Sequence, residues 1–140
     1  MVFLSALAAG LFLSWLIPLP QFSSVSLKVT GIILGVLGST VGFWGLYTFR
    51  RAGTNVRPSL PVNALVTGGP FRYSRNPFYV GMTVIYVGIT LYAGFLWLFV
   101  TLVPALLMVH WRIVRREEQF LESRFGEDYR AYKARVHRWI

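Results

Sequence analysis

An all-α integral membrane fold of four transmembrane helices, the last two a helical hairpin, followed by a cytoplasmic helical extension, is what this sequence predicts. Three observations carry that expectation. Of 140 residues, 55% are hydrophobic and 14% charged, and the mean hydropathy is +0.55, too apolar for a water-soluble domain of this size. The apolar residues gather into long runs separated by polar, turn-rich segments. The charge is also one-sided: five arginines (Arg50, Arg51, Arg57, Arg72, Arg75) lie in the central segment and eight basic residues follow the last apolar run, with Lys28 alone elsewhere. Under the positive-inside rule the central loop and the C-terminus share the cytoplasmic face. The net charge of +9 then reflects attraction to anionic lipid headgroups, and no nucleic-acid partner is expected.

The elements follow in order as one membrane-embedded domain over residues 1–140, with spans at about 2–17, 27–47, 78–92 and 95–111. The first run, Val2 to Ile17, stops at Pro18 and Pro20 and lacks a basic segment before it, so it reads as a retained span with a cytoplasmic N-terminus. In the second, Gly31, Gly35, Gly38, Gly42 and Gly45 repeat at four and three residues and share a helix face. That stripe allows close helix approach, within the monomer or across a homodimer seam. Arg50 to Pro61 is basic and irregular.

Phe78 to Val109 is an apolar run of 32 residues, about 48 Å as a single helix against a roughly 30 Å hydrocarbon core. It must fold back, and Ala93-Gly94 is the best turn. Pro104 should kink the second leg. The helix then continues into the cytoplasm as an amphipathic segment over 112–125 to Gly126, and a last interfacial helix is expected over 127–139.

The polar stretch from Asn63 to Gly81 is the most informative. Gly68-Gly69-Pro70 and Asn76-Pro77 form turns, with Phe71, Tyr73, Phe78 and Tyr79 set among Arg72 and Arg75. Asn76 and Pro77 suit the N-cap and first turn of the next helix. Such a loop at a helix N-terminus either holds a polar ligand or merely connects two spans.

Every acidic residue lies in the C-terminal quarter: Glu117, Glu118, Glu122, Glu127 and Asp128. Adjacent positions on a helix point about 100° apart, so one of Glu117 and Glu118 turns towards the buried side. That carboxylate either binds a ligand or pairs with neighbouring arginines. Arg112 either snorkels to headgroups or binds an anionic group. The sequence has no cysteine, only two histidines and none of the phosphate-loop, dinucleotide, nucleophile-elbow or zinc-helix motifs, so hydrolytic, nucleotide-triphosphate and metal chemistry lack candidates.

Taken together, L-V-T-G-G-P-F-R-Y-S-R-N-P-F-Y-V-G (Leu65 to Gly81) and R-R-E-E-Q-F-L-E-S-R-F-G-E-D-Y-R-A-Y-K-A-R-V (Arg115 to Val136) resemble the isoprenylcysteine carboxyl methyltransferase and phospholipid methyltransferase group. The resemblance covers the C-terminal two-thirds of the chain. It implies an S-adenosylmethionine-dependent enzyme of a prokaryotic inner membrane that methylates a lipid or lipidated small molecule drawn from the bilayer. By position, the group's cofactor contacts fall on Asn63, Ala64, Leu65, Val66, Phe71, Asn76, Pro77, Phe78, Tyr79 and Glu117; the catalytic roles are expected of Glu117 and of Arg112, which adjoins the position of the group's substrate arginine.

The chain departs from the group's pattern at two positions. Asn76 stands where the group often has histidine, and Ile113 where carboxyl methyltransferases have a substrate arginine, with Arg112 adjacent. A nicotinamide-dependent membrane reductase and a non-catalytic membrane scaffold or sensor are the alternative functions with the same architecture.

Overall fold

The computed structural model describes residues 1–53 and 64–140. Among them every regular element is helical: α1 (Val2–Leu16), α2 (Val25–Arg51), a 3-10 turn (Gly69–Arg72), α3 (Pro77–Ala93), α4 (Leu96–Met108), a π-helical segment (Val109–Val114) and α5 (Arg115–Arg135). Two helices are long and apolar enough to cross a bilayer unaided: α2, and the continuous 40-residue helix that α4, the π segment and α5 form together. Helices α1 and α3 are apolar but shorter, at 15 and 17 residues.

Ser24 opens α2 in extended conformation, its hydroxyl accepting from the Leu27 N–H at 3.1 Å. Arg50 and Arg51 close the helix, where cations complement the dipole. The helix therefore begins before and ends beyond the expected 27–47, taking in the start of the stretch read as irregular.

The long apolar run folds back at Gly94, whose φ of 75° and N–H to the Thr90 carbonyl form a left-handed C-cap. Pro104 lies inside α4, which continues on both sides of it.

Helices α2 and α3 pack antiparallel through glycine. A Cβ at Gly31 would stand 2.6 Å from the Gly88 carbonyl oxygen, and one at Gly38 would stand 2.6 Å from that of Gly81. Gly45 receives the Phe78 ring, while Cβ atoms at Gly35 and Gly42 would meet nothing within 4 Å. Within the chain, the packing seam is thus every seventh residue of the stripe. Gly38→Ala is expected to destabilise the protein by about 1–3 kcal/mol through overpacking against backbone. Gly35→Ala should be neutral or stabilise by up to about 1 kcal/mol through helix propensity. Thermal unfolding in detergent separates the two.

Helix α1 lies on α4 through Gly10, where a Cβ would stand 2.7 Å from Leu98 and 2.8 Å from the Thr101 hydroxyl oxygen. A buried 2.8 Å hydrogen bond joins the Tyr86 and Thr101 hydroxyls and ties α3 to α4. The membrane-side core is Phe3, Tyr86, Leu98, Leu102, Val109 and Val114.

The C-terminal region differs from expectation. The expected helix at 127–139 ends at Arg135, and Val136 is extended. Gly126 (φ 52°, ψ −121°) bends α5 so that Tyr129 and Tyr132 are buried against the central loop instead of facing the membrane interface. The tail after Arg135 leaves the helix and is fastened to the loop: the Arg75 N–H donates to the His137 carbonyl at 3.0 Å and the Asn76 amide to that of Arg138 at 3.0 Å.

Candidate functional site

The π segment decides which glutamate faces inward. Buried positions along α4 are Leu98, Leu102, Ala105 and Val109, spaced at three and four residues. Without interruption, the helix would bring Ile113 and Glu117 to the positions four and eight residues beyond Val109. Instead the buried face passes through Val114 and Glu118, because the Arg115 N–H bonds back five residues to the His110 carbonyl and one extra residue is wound in. Glu118 is therefore buried and Glu117 exposed.

Glu118 bridges two chain-distant arginines. The Arg75 Nη1 lies 2.9 Å from Oε1, and Arg138 grips both oxygens at 2.9 and 2.7 Å. The Arg75 and Glu118 side chains are only 8% and 9% exposed, and Arg75 also donates to the Tyr129 hydroxyl at 3.4 Å. The Arg75 Nε is buried without a hydrogen-bond partner among the described residues. The Tyr132 hydroxyl donates to the Phe71 carbonyl at 2.7 Å. Tyr132→Phe would orphan that carbonyl, and a loss of about 1–3 kcal/mol is expected in unfolding measurements.

Glu117 stands beside this network with no ion-pair partner among the described residues. Water reaches it, yet desolvation by surrounding protein, followed by the neighbouring Glu118 charge, raises its carboxyl above the ordinary range. Its charge acts on the hydroxyls of Tyr79 and Tyr129. Burial, ahead of the opposing Arg75 hydrogen bond, pushes Tyr129 up, so it stays a neutral phenol at physiological pH.

The other sequence-derived residues divide by location. Asn63 lies outside the described residues. Ala64 is half-buried, while Leu65 and Val66 pack on the Phe71–Tyr129–Tyr132 cluster. Phe71 meets Phe49 and Phe78 edge-on at 5.1 and 6.0 Å. Pro77 occupies the first turn of α3 as expected, but Asn76 does not cap the helix with its side chain. Its amide holds the tail instead, while its N–H donates to the Ser74 hydroxyl at 3.1 Å. Tyr79 is half-buried and Arg112 is exposed in the π segment. The motif reading did not single out Arg75 or Arg138 as site residues; among the described residues only contacts distant in sequence reveal them.

Next to the network an apolar groove of about 670 Å³ runs between α3 and α4 from Val84 and Val103 to His110, Trp139 and Ile140.

A family model described as phospholipid methyltransferase matches residues 27–128, which include both the loop and the glutamate pair. The chain belongs to the phospholipid methyltransferase family. Membership of a membrane methyltransferase family agrees with the apolar helices. An uncharacterized protein of Haemophilus influenzae is 34% identical over 62 residues, 44% of this chain and 98% of that protein. No solved structure matches. In this phospholipid methyltransferase family chain, the ion-paired network fastens the loop to α5, while Glu117 remains accessible beside it.

Proposed function

We propose that this protein transfers a methyl group from S-adenosylmethionine to an amphiphilic acceptor drawn from the bilayer, at the cytoplasmic face of a prokaryotic inner membrane. The observation that carries this reading is the meeting of loop, α5 and tail at Glu118, with the accessible, unpaired Glu117 next to it on α5 and Trp139 of the apolar groove next to Arg138 in the chain. All four apolar helices cross the membrane in this reading, α1 against α4 and α3 against α2, with both termini cytoplasmic.

The residues fit the cofactor's chemistry. Glu117 is an accessible, unpaired carboxylate for a cationic or hydroxyl-bearing group, and the Arg75 Nε–H is a buried donor without a partner among the described residues. When bound, the cofactor supplies a methyl group activated on a positively charged sulfur. The cofactor residues are Asn63, Ala64, Leu65, Val66, Phe71, Asn76, Pro77, Phe78, Tyr79 and Glu117, with Phe71, Phe78 and Tyr79 furnishing aromatic surface. Arg112 takes the acceptor's anionic group: the extra residue wound into the π segment accounts for its five-residue spacing from Glu117, where related carboxyl methyltransferases have four. In-line displacement demands positioning and charge placement more than a strong base, and the ion pairs that fasten the loop to α5 supply a fixed frame for both.

Labelled methyl transfer from S-adenosylmethionine to prenylated thiols, ethanolamine lipids and membrane extracts tests the reading. Incorporation into an extractable lipid is expected. Release of a nicotinamide upon denaturation of the purified protein would overturn it in favour of a reductase.

A further inference from the structure

The apolar groove ends in an unusual wall. Its sides are helical, but its cytoplasmic end is closed by Trp139 and Ile140 of the non-helical tail. The Trp139 ring lies face to face with His110, centroids 5.9 Å apart at 30°, and packs on the membrane-side core. Its chain neighbour Arg138 is held twice, by the Glu118 carboxylate at 2.9 and 2.7 Å and through its carbonyl by Asn76 at 3.0 Å. The backbone is thus pinned one residue before the indole, which is held by packing on His110 and the core. The indole stands at the end where the polar head of any amphiphile lying in the groove must come to rest. Arg75 and Arg138 share the single Glu118 carboxylate, leaving one positive charge in excess in that cluster, and the Arg115 guanidinium 4.5 Å from the Trp111 ring centre adds another near this end.

We propose that Trp139 is the specificity-determining residue for the acceptor, admitting a single-chain amphiphile with a small, anionic head and rejecting bulkier heads on the same chain. The proposal rests on the groove being the acceptor site of the methyl transfer described above. It names the indole, and not the helical walls, as the element that sorts acceptors.

The full-length protein in nanodiscs is titrated with dodecanoate, N-dodecanoylglycine and N-dodecanoylphenylalanine, which share chain and charge while the head grows. Wild type is expected to bind dodecanoate roughly tenfold or more tighter than N-dodecanoylphenylalanine. Trp139→Ala should bring the two within about twofold by improving the bulky ligand, and Trp139→Phe should keep most of the preference. Ile140→Trp adds bulk to the same wall at an 86% exposed position, and should weaken N-dodecanoylglycine while sparing dodecanoate. Equal weakening of every ligand by Trp139→Ala, or no discrimination by wild type, would overturn the proposal. If Trp139→Ala does not fold, indifference of Ile140→Trp to head size overturns it instead. S-adenosylmethionine binding measured in parallel keeps the tests apart: its absence removes the methyl-transfer reading, whereas the head-size series judges Trp139 alone.

Discussion

Replacing Glu118 with alanine is expected to lower unfolding stability by about 3–5 kcal/mol, a large share of what a small domain possesses. The carboxylate is the common partner of Arg75 and Arg138, and Arg75 is 8% exposed. Its removal leaves a buried guanidinium facing a second cation with no counter-charge. The same change frees the tail, since Arg138 loses both side-chain contacts to α5. Denaturant unfolding in detergent, with proteolysis after Arg135 as a local probe, measures both effects. A loss below about 1 kcal/mol would mean that the pair behaves as a solvated surface bridge. Replacing Arg75 and Glu118 together by apolar residues of similar volume should recover much of the loss.

Glu117 is expected to behave oppositely. Its carboxyl is raised, first by desolvation and then by Glu118, so the folded state holds the proton more tightly than the unfolded chain. The folded state is thus penalised for ionised Glu117 above the raised value, and the penalty disappears as pH falls below the unfolded carboxylate range. Glu117→Gln should therefore raise the melting temperature at neutral pH and leave it unchanged under acid conditions. The same variant should lose S-adenosylmethionine affinity by at least about tenfold, the scale of a charge-assisted hydrogen bond of about 1.5–3 kcal/mol. Wild-type affinity should decline as pH drops through the raised value. A variant that is both more stable and fully able to bind the cofactor would remove Glu117 from the site.

These opposite expectations for adjacent glutamates could not have been assigned from sequence. Spacing required one of them to face inward but was silent on which, because the residue wound in at Val109–Val114 leaves no composition signal. The tail was misread as amphipathic helix for a related reason. Its apolar spacing is helical, but the chain turns extended at Val136 and hydrogen-bonds to a loop some sixty residues away, a contact that spacing does not encode. Features set by local chemistry were legible: the turn at Gly94, the start of α3 at Pro77 and the approach of glycines in α2. Even there, of the five glycines only Gly31, Gly38 and Gly45 would bring a Cβ against α3, since crossing geometry, invisible in sequence, selects among positions sharing a face.

The extra residue wound in between Val109 and Val114 makes the chain unequally tolerant of shortening. Deleting one residue inside that stretch would restore ordinary winding and leave both ends of the long helix pointing as they do now. A deletion a few positions later, before the glutamates, would rotate everything downstream by about 100°, carry Glu118 outward and put Gln119 in the inward position. Length variants there are silent or ruinous according to which side of Arg115 they fall.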